Sequence, residues 1–89
     1  MRVIFAYYGL QCSNGDINNQ NQYRSTQWVA SLCNGKNYCT GVVSVNILGD
    51  PYPGCCKDFL AVAECSNGQI VADEVRCEAN GQHFALACY

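Results

Sequence analysis

Eight cysteines among 89 residues constrain this chain more than any other feature of its sequence. A cysteine content of about 9 % is typical of disulfide scaffolds, and an even number is what a fully paired set requires. A chain this short buries a small core, so cross-links matter for its stability. We therefore expect one domain over residues 1–89, four disulfides, and secretion or another oxidising extracellular location. The alternative is a reduced cytosolic protein with buried thiols.

The charge pattern excludes some classes of partner. The formal net charge is −2, and 13 % of the residues are charged. No basic stripe is present to neutralise phosphates, so no nucleic-acid partner is expected. No apolar run approaches the roughly 20 residues that span a bilayer, so no membrane insertion is expected. Residues 1–8 are too short and too polar-flanked for a signal peptide, and we interpret them as a strand that begins the mature protein.

The hydrophobic pattern predicts a small α+β domain, with an antiparallel β-sheet and one or two short helices. The expected strands are residues 2–8, 41–48, 59–65, 70–76 and 83–89. Asp73-Glu74 make residues 70–76 either an edge strand or a short helical turn. Tyr7 and Tyr8 are adjacent in the first strand, so they should point to opposite faces and leave one ring exposed. Asn80-Gly81 is a hairpin signal.

One helix is expected over Ser25–Cys33. Ser25 is a suitable cap, Trp28 and Leu32 share one face, and Asn34-Gly35 is a typical stop. The polar residues 13–22 before it are expected to form a loop.

Residues 46–60 concentrate conformational constraints. They contain both prolines of the chain, two adjacent cysteines and one of its two lysines. Such a loop should be held in one shape. It presents Asn46, Asp50 and Lys57, whose amide, carboxylate and ammonium groups can hydrogen-bond a polyhydroxylated ligand. The alternative is a stapled turn between two strands.

Catalysis and metal binding are not expected. If all the cysteines pair, no thiolate is left to act as a nucleophile. The only histidine, His83, lies in an alternating strand, where a half-buried position is expected. Cys33 and Cys39 span a compact turn that a local disulfide can close, and no partner pair completes a zinc site. No cofactor is expected either.

Several motifs follow one another in a characteristic order. They are Cys33-Asn34-Gly35-Lys36-Asn37-Tyr38-Cys39, then Asn46, then Gly49-Asp50-Pro51, then Lys57-Asp58-Phe59-Leu60 before Cys65. Upstream, Ala6-Tyr7-Tyr8-Gly9-Leu10 precedes Cys12. This order resembles the rhamnose/galactose-binding lectin domain of the sea-urchin-egg-lectin type, in which the upstream strand ends in Ala-x-Tyr-Gly-Arg. Leu10 stands where that family usually has its arginine.

The first strand of that family, which begins with Cys-Glu and ends in a second cysteine, is missing from the N-terminus. A similar segment runs from Cys77-Glu78 to Cys88 instead. Joining Tyr89 to Met1 would restore the usual order. We therefore interpret the chain as a circular permutant, in which residues 66–76 bridge the former ends.

The resemblance also implies a disulfide pattern. The implied pairs are Cys12–Cys77, Cys33–Cys39 and Cys65–Cys88. The family partner of the remaining pair has no counterpart before the helix, so Cys55 and Cys56 must bond to each other, bond another chain, or stay free. Of these, a vicinal Cys55–Cys56 bond is our prediction.

The function implied is that of a non-catalytic lectin that recognises galactose, α-galactosides or L-rhamnose. The sugar-binding positions of the family fall here on Tyr8, Asn46, Asp50, Gly54, Lys57 and Glu78. Carboxylates would accept from vicinal hydroxyls, and lysine and asparagine would donate to them. Because lectins gain strength by multivalency, a homodimer is expected. The alternative is a small secreted defence protein, a toxin or a protease inhibitor, that inserts its Pro-Gly-Cys-Cys loop into a protein target.

Overall fold

The structure, a computed structural model, describes residues 1–12 and 19–88. Its elements follow in the order β1 (Arg2–Tyr8), a 3₁₀ turn (Leu10–Cys12), α1 (Asn19–Cys33), β2 (Tyr38–Val42), α2 (Val45–Leu48), β3 (Phe59–Glu64), β4 (Ile70–Val75) and β5 (His83–Ala87). This is the small disulfide-rich α+β domain that the sequence predicts. None of the helices described is long and apolar enough to cross a membrane.

The strands form two antiparallel sheets. One has the order β1-β3-β4 and the other pairs β2 with β5. The Asp73 carboxylate on β4 accepts the Ala85 N–H of β5 at 2.8 Å and so links the two sheets. Asn80-Gly81 forms a turn, but the hairpin expected there is wrong, because the strands on either side belong to different sheets.

Helix α1 packs against β1 and β2, and its Trp28 fills the junction between the sheets. The indole meets Phe59 and Phe84 edge-on, with ring centroids 5.7 and 5.4 Å apart. Gly41 makes this close packing possible. A Cβ at that position would lie 2.8 Å from both Leu32 Cδ1 and Phe84 Cε1, closer than real contacts allow.

The helix begins six residues before the predicted start at Ser25. Its added turns are polar, and they are anchored through a buried Asn21. Asn21 Nδ2 donates to Tyr8 O at 2.6 Å, and its Oδ1 accepts from Ser25 Oγ at 3.1 Å. Apolar periodicity misses a helix end held by hydrogen bonds to a strand. Of the loop expected over residues 13–22, residues 13–18 lie outside the described part of the chain and the rest are helical.

The strand expected over residues 41–48 is also wrong. It begins earlier, at Tyr38, and ends at Val42. The chain then turns into α2, whose first turn is capped by Ser44, with Oγ accepting the Asn46 N–H at 3.1 Å. Gly49, with φ of 77°, ends that helix. The alternation of residues 43–47 fits a strand, but the Ser44 cap and Gly49 favour a short helix.

All eight cysteines pair, in the bonds Cys12–Cys55, Cys33–Cys39, Cys56–Cys77 and Cys65–Cys88. The predictions for Cys33–Cys39 and Cys65–Cys88 are confirmed, and those for Cys12–Cys77 and the vicinal Cys55–Cys56 bond are wrong. Cys55 bonds Cys12, and Cys56 bonds Cys77. The two adjacent cysteines therefore pair with the two residues that were expected to bond to each other. Four disulfides indicate an oxidising environment.

Candidate functional site

Four of the six residues expected to bind sugar meet at one place. Tyr8 ends β1, Asp50 and Lys57 lie in the loop between α2 and β3, and Glu78 lies between β4 and β5. We call these four residues the Lys57 cluster. Its members come from three segments that are far apart in the chain and are joined by direct contacts.

Lys57 is the buried centre of the cluster, with 6 % of its side chain exposed. Its Nζ lies 2.8 Å from Asp50 Oδ1, 3.2 Å from Tyr52 O and 3.0 Å from Cys55 O. An ammonium group has three protons, and these three acceptors can take all of them. Lys57 therefore joins three residues of its own loop and stabilises the shape of that loop. The expected donation from Lys57 to a ligand hydroxyl would require it to give up one of these bonds.

Glu78 is held against the same loop from the other side. Its Oε1 accepts the Lys57 N–H at 3.0 Å, and its Oε2 lies 3.5 Å from the Tyr8 hydroxyl, a long hydrogen bond. The Ala79 N–H donates to Lys57 O at 2.9 Å, and the Cys56–Cys77 disulfide joins the residues just before Lys57 and Glu78. These ties leave the Glu78 side chain exposed but fix where it stands.

Tyr8 supplies the hydroxyl of the cluster from a buried position. Both Tyr7 and Tyr8 have 0 % exposure, so the expectation that one ring faces solvent is wrong. The burial of the Tyr7 hydroxyl is explained by its hydrogen bond with the Tyr52 hydroxyl, which lies 2.6 Å away. Burial, and then the negative charges of Glu78 and Asp50, raise the pKa of Tyr8 to about 12. Tyr8 thus stays protonated and acts as a neutral donor near neutral pH.

Two carboxylates form the accessible rim of the cluster. The Asp50 side chain is 46 % exposed although its Oδ1 bonds Lys57, and Glu78 is exposed as well. Each carboxylate therefore keeps acceptor capacity toward solvent. Together they present two anionic acceptors over a buried cation and a buried phenol.

The other two expected residues have different surroundings. Gly54 lies in the same loop with φ of 83°, a backbone conformation that favours glycine, and a Cβ there would meet nothing within 4 Å. Asn46 is exposed on α2. Among the described residues, no hydrogen bond links the Asn46 side chain to the Lys57 cluster. The expected half-buried position of His83 is wrong too, since that residue is exposed on β5.

A cleft of about 180 Å³ lies beside Asp50 and was not predicted. We call it the Arg24 cleft. Its lining residues are Gln20, Asn21, Arg24, Leu48, Gly49, Asp50 and Pro51. The sequence did not indicate it, because residues 13–22 were expected to form a loop and the helix was expected to begin at Ser25. The available signal was an arginine within an otherwise uncharged polar run.

Within residues 1–12 and 19–88, no group of three His, Cys, Asp or Glu side chains is arranged to hold a metal ion. The chain matches no protein-family model, no curated protein and no solved structure. The function is therefore inferred from the geometry of the Lys57 cluster and from the chemistry of its side chains.

Proposed function

We propose that this chain is a non-catalytic lectin that binds galactose, α-galactosides or L-rhamnose at the Lys57 cluster. The observation that supports it is the convergence of Tyr8, Asp50, Lys57 and Glu78 from three separate segments, with both carboxylates exposed at the rim. Charge-assisted hydrogen bonds from sugar hydroxyls to carboxylates are stronger than neutral ones. Two fixed carboxylates can therefore select the orientation of neighbouring hydroxyls.

The rigidity of the rim favours this role. The Cys12–Cys55 and Cys56–Cys77 bonds anchor the loop that carries Asp50 to two other segments, and Lys57 closes it from inside. A site that is already ordered loses less conformational entropy when a small ligand binds. Small polar ligands such as monosaccharides benefit most, because they form few contacts.

The resemblance to the rhamnose/galactose-binding lectin domain supports the same proposal, including the circular permutation. Permutation requires that the two ends of the chain lie near each other. The Met1 amino group donates to Lys36 O at 2.6 Å, and the Cys88 N–H donates to the next carbonyl, Asn37 O, at 2.8 Å. Met1 and Cys88 are therefore both hydrogen-bonded to the same turn. Secretion and a homodimer that presents two sugar sites complete the proposal.

A glycan array tests it. The wild-type protein should bind array positions with terminal α-galactose or L-rhamnose, and Asp50→Ala should lose most of that signal. Glu74→Ala removes a carboxylate from an exposed position on β4 and should bind like the wild type. Asp50→Ala binding that equals the wild type would refute the site. Absence of glycan binding, together with inhibition in a protease panel, would favour the defence-protein alternative.

A further inference from the structure

The Arg24 cleft adjoins the Lys57 cluster, and Asp50 belongs to both. Its volume of about 180 Å³ is below the roughly 300–1,000 Å³ of pockets for drug-sized ligands. A space of this size suits one further sugar residue or a substituent on it. A glycan whose terminal residue met Asp50 and Glu78 would direct its next residue along the surface of the loop.

Arg24 is the cation of this cleft. The ion pairs among the described residues are Arg2–Glu64 and Lys57–Asp50, so Arg24 has no acidic partner there. The hydrogen bond that Arg24 Nη1 donates to Leu48 O is long, at 3.4 Å. A guanidinium has five N–H donors in a planar fork that matches carboxylate and sulfate groups. Among the described residues, Leu48 O is the one acceptor bonded to the guanidinium, so most of these donors remain available to a ligand.

The backbone around Arg24 is fixed by its neighbours. One turn earlier in α1, buried Asn21 donates to Tyr8 O, and Ser25 next to Arg24 is fully buried. On the opposite wall, Gly49 leaves room for the guanidinium, because a Cβ there would lie 2.9 Å from Arg24 Nη1. A side chain at residue 49 would therefore require the Arg24 guanidinium to shift from its place beside the loop.

The charge balance of the cleft favours an anion. Asp50 also lines it, but its Oδ1 already pairs with Lys57 at 2.8 Å. Among the described residues, Arg24 is thus the one charged group lining the cleft that has no ion-pair partner. Gln20 is exposed in the same cleft and adds an amide that can donate to an anion.

We propose that the Arg24 cleft is a subsite for an anionic substituent of the bound glycan, a carboxylate or a sulfate ester on the sugar next to the terminal one. This rests on the proposed function, since the cleft gains its position from the Lys57 cluster. The consequence is selectivity for acidic glycans over neutral ones with the same terminal sugar.

Binding titrations with three matched disaccharides test the subsite. All carry the same terminal sugar, α-galactose or L-rhamnose, whichever binds in the glycan array, and the second residue is neutral, a uronate, or sulfated. Wild-type protein should bind at least one acidic disaccharide about tenfold more tightly than the neutral one, as expected for a charge-assisted bond. The uronate and sulfate arms show which anion is preferred. Arg24→Gln should remove the preference for acidic disaccharides and leave the affinity for the neutral disaccharide unchanged. High salt should weaken the preference of the wild type for acidic disaccharides.

Arg2→Gln is the matched control, because it removes an exposed guanidinium whose partner is Glu64. It should keep the preference for acidic disaccharides. A wild type that binds neutral and acidic disaccharides equally, or an Arg24→Gln variant that keeps the preference, would overturn the subsite while neutral binding still supports the lectin. Arg24-dependent binding of acidic disaccharides alone would support the subsite and contradict the proposed neutral-sugar site. Binding of none of the three would contradict both.

Discussion

The Lys57 ammonium lies 2.8 Å from the Asp50 carboxylate, and the lysine is buried while the aspartate is half exposed. This asymmetry separates two tasks. Lys57 gives its protons to the loop and fixes its shape, whereas Asp50 uses one oxygen for that bond and turns the rest of the carboxylate outward. Lys57 thus orders the loop, and Asp50 is the more accessible of the two to a ligand.

The first prediction concerns the two lysines of the chain. Lys57→Met should lower the free energy of unfolding by about 1–3 kcal/mol, because Tyr52 O and Cys55 O lose a charged donor. This loss of stability is smaller than the loss expected when a fully buried ion pair is broken, because water can hydrate the half-exposed Asp50 carboxylate. Urea denaturation measures it. Lys36→Met, at an exposed lysine, should change stability by no more than about 0.5 kcal/mol. Equal stability of the two variants would contradict the role given to Lys57.

The second prediction concerns alkaline pH. The pKa of Tyr8 is about 12 in the folded protein, and an unfolded tyrosine titrates near 10. Between these values the folded state binds more protons, so stability falls as pH rises. The contribution is fully present below about pH 10, and roughly 2–3 kcal/mol is lost by about pH 12.

Chemical denaturation across this range should show the loss in wild-type protein. Tyr8→Phe should show a flatter dependence, because it cannot ionise. Tyr23→Phe is the matched control at an exposed tyrosine and should follow the wild-type curve. A Tyr8→Phe curve parallel to the wild type would show that Tyr8 is not the group responsible.

Much of the fold could be predicted from local pattern. β1 is a run of β-branched and aromatic residues that stops at Gly9, and α1 ends at Cys33 before Asn34-Gly35 as expected. The errors occur where side-chain hydrogen bonds outweigh hydrophobic periodicity. Ser44 converts an alternating segment into α2, and Asn21 extends a polar helix along β1. Neither effect is visible in apolar spacing.

Four of the six residues expected to bind sugar do lie together, but their burial could not be predicted from the sequence. The resemblance named Tyr8, Asp50, Lys57 and Glu78, and the structure brings them together. That Tyr8 and Lys57 lie beneath the two carboxylates depends on tertiary packing. The partners of Cys55 and Cys56 were likewise beyond sequence, since eight cysteines allow 105 pairings.

The third prediction compares two disulfides. Replacing Cys56 and Cys77 by serine opens a loop with a sequence separation of 21, and should lower stability by roughly 3 kcal/mol. Replacing Cys33 and Cys39, with a separation of 6, should lower it by roughly 2 kcal/mol. Only the first change should also weaken sugar binding, because Cys77 anchors Glu78. Denaturation and sugar titration of both variants measure this, and equal loss of binding in both would contradict the anchoring role.

Glu78 gives the most direct test of the central claim, because it reaches the cluster from a segment far along the chain. Glu78→Gln keeps the size of the side chain and an acceptor for the Lys57 N–H, and removes only the charge. NMR titration with methyl α-D-galactoside and methyl α-L-rhamnoside measures the affinity, with Glu74→Gln as the control at an exposed carboxylate. We predict that the wild type and the control bind at least one of these sugars, and that Glu78→Gln binds it about tenfold more weakly while unfolding at a similar temperature. Unchanged affinity in Glu78→Gln, or no binding of either sugar by the wild type, would contradict a sugar site at the Lys57 cluster.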